Sequence, residues 1–125
     1  MKKVLTILAL FFSVSIFAQS SDGVVNALKE GSAAKFSNYF SSNVDIKLPQ
    51  DKSERKDVSK ADASSAIVNF FSSNNINNFE LTSQREMNGT SYITGKLTGG
   101  SQSYNLTVML KVNGNEMSVI TVRIG

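Results

Sequence analysis

Tyr104, Leu106, Val108, Leu110 and Val112 stand at every second position, separated by Asn105, Thr107, Met109 and Lys111. Successive side chains of an extended strand point to opposite faces, so this run commits the chain to a sheet with one buried side. Turn signals frame it. Asn88-Gly89 is a hairpin dipeptide, because both central residues of the tight primed turn need positive φ. Gly99-Gly100-Ser101 and Asn113-Gly114-Asn115 punctuate the segments on either side. From Phe79 onward the sequence therefore predicts an antiparallel meander of four strands: Phe79 to Met87, Tyr92 to Thr98, the alternating run, and Met117 to Ile124. In the last of these Ile120, Val122 and Ile124 are expected to share the buried face. Thr107, Met109, Lys111, Val119, Thr121 and Arg123 are expected on the outer one.

The first half of the chain carries helical spacing instead. Asp22 can cap a short helix bearing Val24, Val25 and Leu28, Gly31 suits a left-handed stop, and Ser32 can cap a second helix. That second helix aligns Ala33, Phe36 and Phe40, with Tyr39 beside them. Val44, Ile46 and Leu48 alternate with Asp45 and Lys47 as a half-buried strand that Pro49 ends. Gln50 to Val58 is either a short returning strand or a loop. Ser59 and Asp62 form a capping box, with Asp in place of the usual Glu. The helix it opens places Ala63, Ala66, Ile67, Phe70 and Phe71 at offsets of 0, 3, 4, 7 and 8, a strong amphipathic match. The Ser- and Asn-rich stretch from Ser72 to Asn78 breaks it. Helices first and a meander last is an α+β layout, with the helices covering the hollow of a curved sheet.

Residues 1–18 stand apart. Lys2 and Lys3 precede a run from Val4 to Ala18 that only Thr6, Ser13 and Ser15 interrupt, and Ala18-Gln19-Ser20 follows. This is the order of a secretory signal peptide. As a helix the run reaches about 22 Å, short of the roughly 30 Å hydrocarbon core. The expectation is removal after Ala18, leaving residues 19–125 as one domain that works in the periplasm or outside the cell, without a stable membrane anchor. Loss of Lys2 and Lys3 takes the 13 basic side chains to 11 against 10 acidic ones, a net charge of +1. That balance offers no electrostatic footprint for nucleic acid. The basic residues from Lys52 to Lys60 are interleaved with Asp51, Glu54, Asp57 and Asp62, as in a solvated loop. Cysteine and histidine are absent, which removes thiol nucleophiles, imidazole bases and thiolate or imidazole metal sites. No cofactor or metal is expected.

These features together resemble a known family. The helical pair ending in Tyr39-Phe40, the Ser59-Lys60-Ala61-Asp62-Ala63 cap, Phe70-Phe71, the Tyr92-Ile93-Thr94-Gly95-Lys96-Leu97 strand and the closing Val119 to Ile124 recur in this order in small exported bacterial proteins catalogued as domain of unknown function 4783. The resemblance implies the cone-shaped α+β fold of the nuclear transport factor 2-like, or cystatin-like, superfamily. It implies no activity, since members of that superfamily variously catalyse, bind ligands or only pair through the sheet. Where relatives carry a histidine after the Phe-Phe helix, this chain reads Ser83-Gln84-Arg85.

Four residues are candidates for ligand binding. Arg85 shares the parity of Leu81, Ser83 and Met87; on the concave face its guanidinium would meet an anion, and a bulge would turn it outward. Tyr39 and Tyr92, with Asp45, make an acid-base set of the kind a ketosteroid isomerase uses. Asp45 alternates away from the core, however, and both tyrosines fit core-edge positions. Phe70 belongs with Phe36, Phe40 and Phe71, which either line a cavity or fill the core. No catalytic residue is assigned. The reading is a non-enzymatic binding module for a small ligand or protein partner. The alternatives are a small lyase, isomerase or hydrolase using the cone, or a structural module that dimerises through the outer sheet face.

Overall fold

The computed structural model describes residues 21–113 and 116–125. Residues 1–20, which include the expected leader at 1–18, and residues 114–115 lie outside the described residues.

Residues 21–29 form α1, α2 is Ala33–Ser37 and α3 is Lys60–Ser73. The strands are β1 (Phe40–Lys47), β2 (Arg55–Ser59), β3 (Ile76–Met87), β4 (Thr90–Gly99), β5 (Gln102–Asn113) and β6 (Glu116–Ile124). They build one curved sheet in the order β2-β1-β6-β5-β4-β3. The meander from β3 to β6 is antiparallel throughout. β1 joins β6 in parallel and β2 turns back antiparallel on β1. The sheet thus has six strands, and the stretch left open between strand and loop contains β2.

Local chemistry explains the boundaries. Gly31 adopts φ 71°, the left-handed stop, and the Ser32 hydroxyl caps α2 by accepting from the Lys35 N–H at 3.2 Å. The Ser59 hydroxyl caps α3 by accepting from the Asp62 N–H at 3.2 Å. Asn88 and Gly89 both have positive φ, 52° and 75°, the pair a primed two-residue hairpin requires. Two boundaries differ from the sequence reading. α2 stops at Ser37, so Phe40 opens β1 instead of closing a helix. β3 starts at Ile76, because strand pairing with Gly99 and Thr98 recruits the Asn-rich stretch. Asp22, expected as a cap, is a helical residue.

The core lies between the helices and one sheet face. Ala63, Ile67, Phe70 and Phe71 of α3 are buried, as are Val24, Val25, Ala27 and Leu28 of α1. Opposite them stand Leu106, Val108 and Leu110 of β5, Ile93 and Leu97 of β4, and Val122 and Ile124 of β6. Phe36 and Phe40 meet edge to face at 5.1 Å.

Among the sheet's register shifts, one in β6 and one in β3 overturn the simple alternation. In β6 the register passes from Met109↔Thr121 to Leu110↔Val119, so Ile120 is the extra residue. Val119 is consequently in the core, and Ile120 is only half-buried, the reverse of the simple alternation. In β3 the register passes from Leu81↔Gly95 to Ser83↔Thr94, leaving Thr82 extra. Beyond it Arg85 faces the same way as Tyr92 and Met87, away from the helices. The concave-face orientation considered for Arg85 is thereby corrected.

Gly95 marks the tightest approach between strand and core. A Cβ there would run into the carbonyl oxygen of Glu80 and the ring of Phe79. Gly95→Ala is expected to cost about 1–3 kcal/mol, the range for overpacking a filled core, measured as a lowered denaturation midpoint. An unchanged midpoint would show that the Phe79 ring and the Glu80 backbone both yield freely.

Candidate functional site

The helix-covered interior is occupied by the chain's own side chains. Its buried members are aliphatic and aromatic, joined by the polar Ser37 and Ser91; Thr121, also buried, sits opposite Met109 on the other sheet face. Among the described residues the Asp, Glu, Lys, Arg and Tyr side chains stand at the surface or half-buried. Asp45 is half-buried, as its alternation implies, and its Oδ1 accepts from the Asp57 backbone N–H at 3.0 Å. Recesses that remain open are therefore surface grooves, and their linings decide what they can do.

One groove, of about 410 Å³, runs between α3 and the β1–β2 connection. Helical spacing presents Ala66, Asn69, Phe70, Ser73 and Asn74 along one stripe of α3 and its cap. Leu48, Gln50 and Arg55 face them from the hairpin side. Leu48 and Phe70 are almost fully buried and form an apolar floor. Arg55 is held in place by Asp51, whose Oδ2 lies 3.2 Å from its Nε, and the same carboxylate oxygen accepts from the Leu48 N–H at 3.0 Å. Behind the groove Phe70 meets Tyr104 edge to face at 5.1 Å. The Tyr104 hydroxyl donates to Asn74 Oδ1 at 3.0 Å and also contacts Gln102, and Asn74 Nδ2 donates to the Phe70 carbonyl at 2.9 Å. The wall is thus tied to both α3 and β5.

The other candidates lie elsewhere. Tyr39 lines a separate cleft of about 280 Å³ between α1 and α2, with Gly23, Asn26, Ala27, Glu30, Lys35 and Asn38. Its hydroxyl sits against Gly23, where a Cβ would collide with it. Arg85 and Tyr92 are cross-strand neighbours on the open sheet face. Of the four sequence-named residues, the structure brings together only Arg85 and Tyr92. Sequence reasoning passed over Gln50, Arg55, Asn69, Ser73 and Asn74. The signal was present, since the Ser- and Asn-rich end of α3 supplies three of them, but it reads equally as a helix stop. Among the described residues no three acidic side chains converge as a metal site.

Comparison with known proteins matches residues 21–125 to the family model described as domain of unknown function (DUF4783). The chain belongs to that family. The structure resembles the DUF4783 protein of Bacteroides ovatus, with 25% identity and a TM-score of 0.73 over 82% of this chain and 90% of that one. It resembles the DUF4783 protein of Bacteroides fragilis at 24% identity and a TM-score of 0.72, over 82% and 93%. An uncharacterized cystatin fold protein from Novosphingobium aromaticivorans shares the architecture at 11% identity and a TM-score of 0.62, over 87% and 97%. The fold is of the nuclear transport factor 2-like, cystatin-like type. No curated protein matches the chain.

Placement of the candidates predicts contrasting variants. Phe70→Ala should cost about 3–5 kcal/mol, because it empties packed core. Arg85→Ala, at an exposed strand position, should change stability by no more than about 0.5 kcal/mol. Urea denaturation of the two variants measures both, and a large loss at Arg85 would mean that its guanidinium braces the sheet.

Proposed function

We propose that this chain is an exported, non-enzymatic binding protein that takes a small polar ligand in the groove between α3 and the β1–β2 connection. The supporting observation is the groove's composition, a buried apolar floor of Leu48 and Phe70 beneath a rim of amides and one guanidinium. A few convergent hydrogen-bonding groups over an apolar base are what orient a bound small molecule. Its volume of about 410 Å³ is of the size that encloses one. Gln50, Asn69 and Asn74 each offer both donor and acceptor atoms, and Arg55 offers donors only. With Asp51 already beside Arg55, the rim carries little net charge, which favours a neutral hydroxyl- or amide-bearing ligand over a strongly anionic one.

Native mass spectrometry of the protein purified from its host's envelope tests the reading. The expected result is a subunit of residues 19–125 carrying a non-covalent adduct, absent from a folded Ser73→Trp variant in which the indole fills the groove. A subunit that still contains residues 1–18 would contradict export with cleavage. An adduct that survives in Ser73→Trp would move the site elsewhere. Chemical conversion of the released adduct on re-addition would replace binding with catalysis.

A further inference from the structure

Among the described residues β3 ends the sheet: it is bonded to β4 on one side and to no strand on the other. It is also long, 12 residues, and a long edge is a template for another strand unless something repels it. α1 approaches this edge near its two ends, where Gly31 packs on Asn77 and the Gln84 amide reaches the Ser21 hydroxyl. Glu80 lies between those contacts, and Arg85 lies past the bulge, one residue beyond Gln84. Both are exposed and neither makes an ion pair among the described residues.

The bulge at Thr82 gives these two charges a relation they would otherwise lack. Five positions apart on a regular strand, they would point to opposite faces. The extra residue shifts the phase, so Glu80, opposite Lys96, and Arg85, opposite Tyr92, both lie on the open face. An antiparallel pairing of two β3 strands about a two-fold axis between Thr82 and Ser83 then sets Glu80 of each copy directly across from Arg85 of the other. The same register keeps every other pair on a matching face. Asn78 meets Met87 on the open side, while Leu81 meets Gln84 and Phe79 meets Glu86 on the helix side. Glu86 lies on the face opposite Arg85, so it does not compete for it. Met87, 51% exposed, gains cover from Asn78 of the partner strand.

We propose that β3 pairs with β3 of a second copy, joining two six-strand sheets edge to edge through two Glu80–Arg85 contacts. The partner is identified by charge complementarity. Isolated charges on an edge discourage an arbitrary strand, whereas this arrangement is self-complementary and selects an identical one. The contact lies away from the α3 groove and stands whether or not that groove binds a ligand.

Sedimentation velocity on the protein purified from its host tests the proposal. The expected species is a dimer that weakens as salt rises, since exposed cross-strand charges are screened. Glu80→Arg and Arg85→Glu should each weaken it by about tenfold, because each reversal turns two attractive pairs into repulsive ones. The double variant Glu80→Arg with Arg85→Glu restores both pairs and should recover dimerisation. Circular dichroism confirms that each variant is folded. A monomeric wild type would overturn the proposal. So would a dimer that both single reversals leave intact and Met109→Arg dissociates, which would place the contact on the open sheet face.

Discussion

Leu106, Val108 and Leu110 form the inner row of β5, each at most 1% exposed, and the rest of the structure is arranged around keeping them so. β5 sits inside the sheet, with β4 and β6 bonded on either side, so its backbone groups are satisfied and only its faces are left to solvate or cover. One face is apolar enough to demand cover, at roughly 25 cal/mol per Å² of surface removed from water. α1 and α3 supply that cover with their buried apolar stripes. Short helices such as these are marginal alone and owe their stability to the packed face. The sheet and the helices therefore depend on each other.

Filling the interior this way moves the interesting chemistry outward. Phe70 and Phe71 are adjacent in sequence, and both are buried by the sheet and their neighbours. Their flanks border different grooves, one against Leu48 and Arg55, the other against Val68 and Ile76. The Phe-Phe pair that anchors α3 thus also supplies, through Phe70, the floor of the groove rimmed by amides and the Arg55 guanidinium. Asp51 ties that rim together by holding both the Leu48 N–H and the Arg55 guanidinium. A single carboxylate so placed orders the β1–β2 connection, which its composition alone would leave as a solvated loop.

Much of the fold could be read along the chain because its signals are local. The α3 stripe from Ala63 to Phe71, the Ser59 and Ser32 caps, the Gly31 stop and the Asn88-Gly89 turn each depend on residues within a few positions of one another. Orientation of Asp45 away from the core followed from the same alternation. Arg85 was legible only as far as Leu81. Past that point its direction depended on whether Thr82 inserts into the ladder, and β4 decides that from across the sheet. Val119 and Ile120 exchanged places for the same reason, with β5 as the deciding partner.

The sequence by itself determined that α3, the β3–β6 meander and the Asn88-Gly89 turn form, and which side of α3 and β5 is apolar. These are consequences of side-chain spacing against fixed backbone periods. Tertiary structure alone decided that β1 enters the sheet in parallel beside β6, that β2 completes it, that Thr82 and Ile120 bulge, and that Gln50 and Arg55 meet Asn69 and Asn74 across one groove. Each of these is a relation between segments far apart in the chain, settled by hydrogen-bond register and shape when the strands meet, and no periodicity within a single segment encodes it.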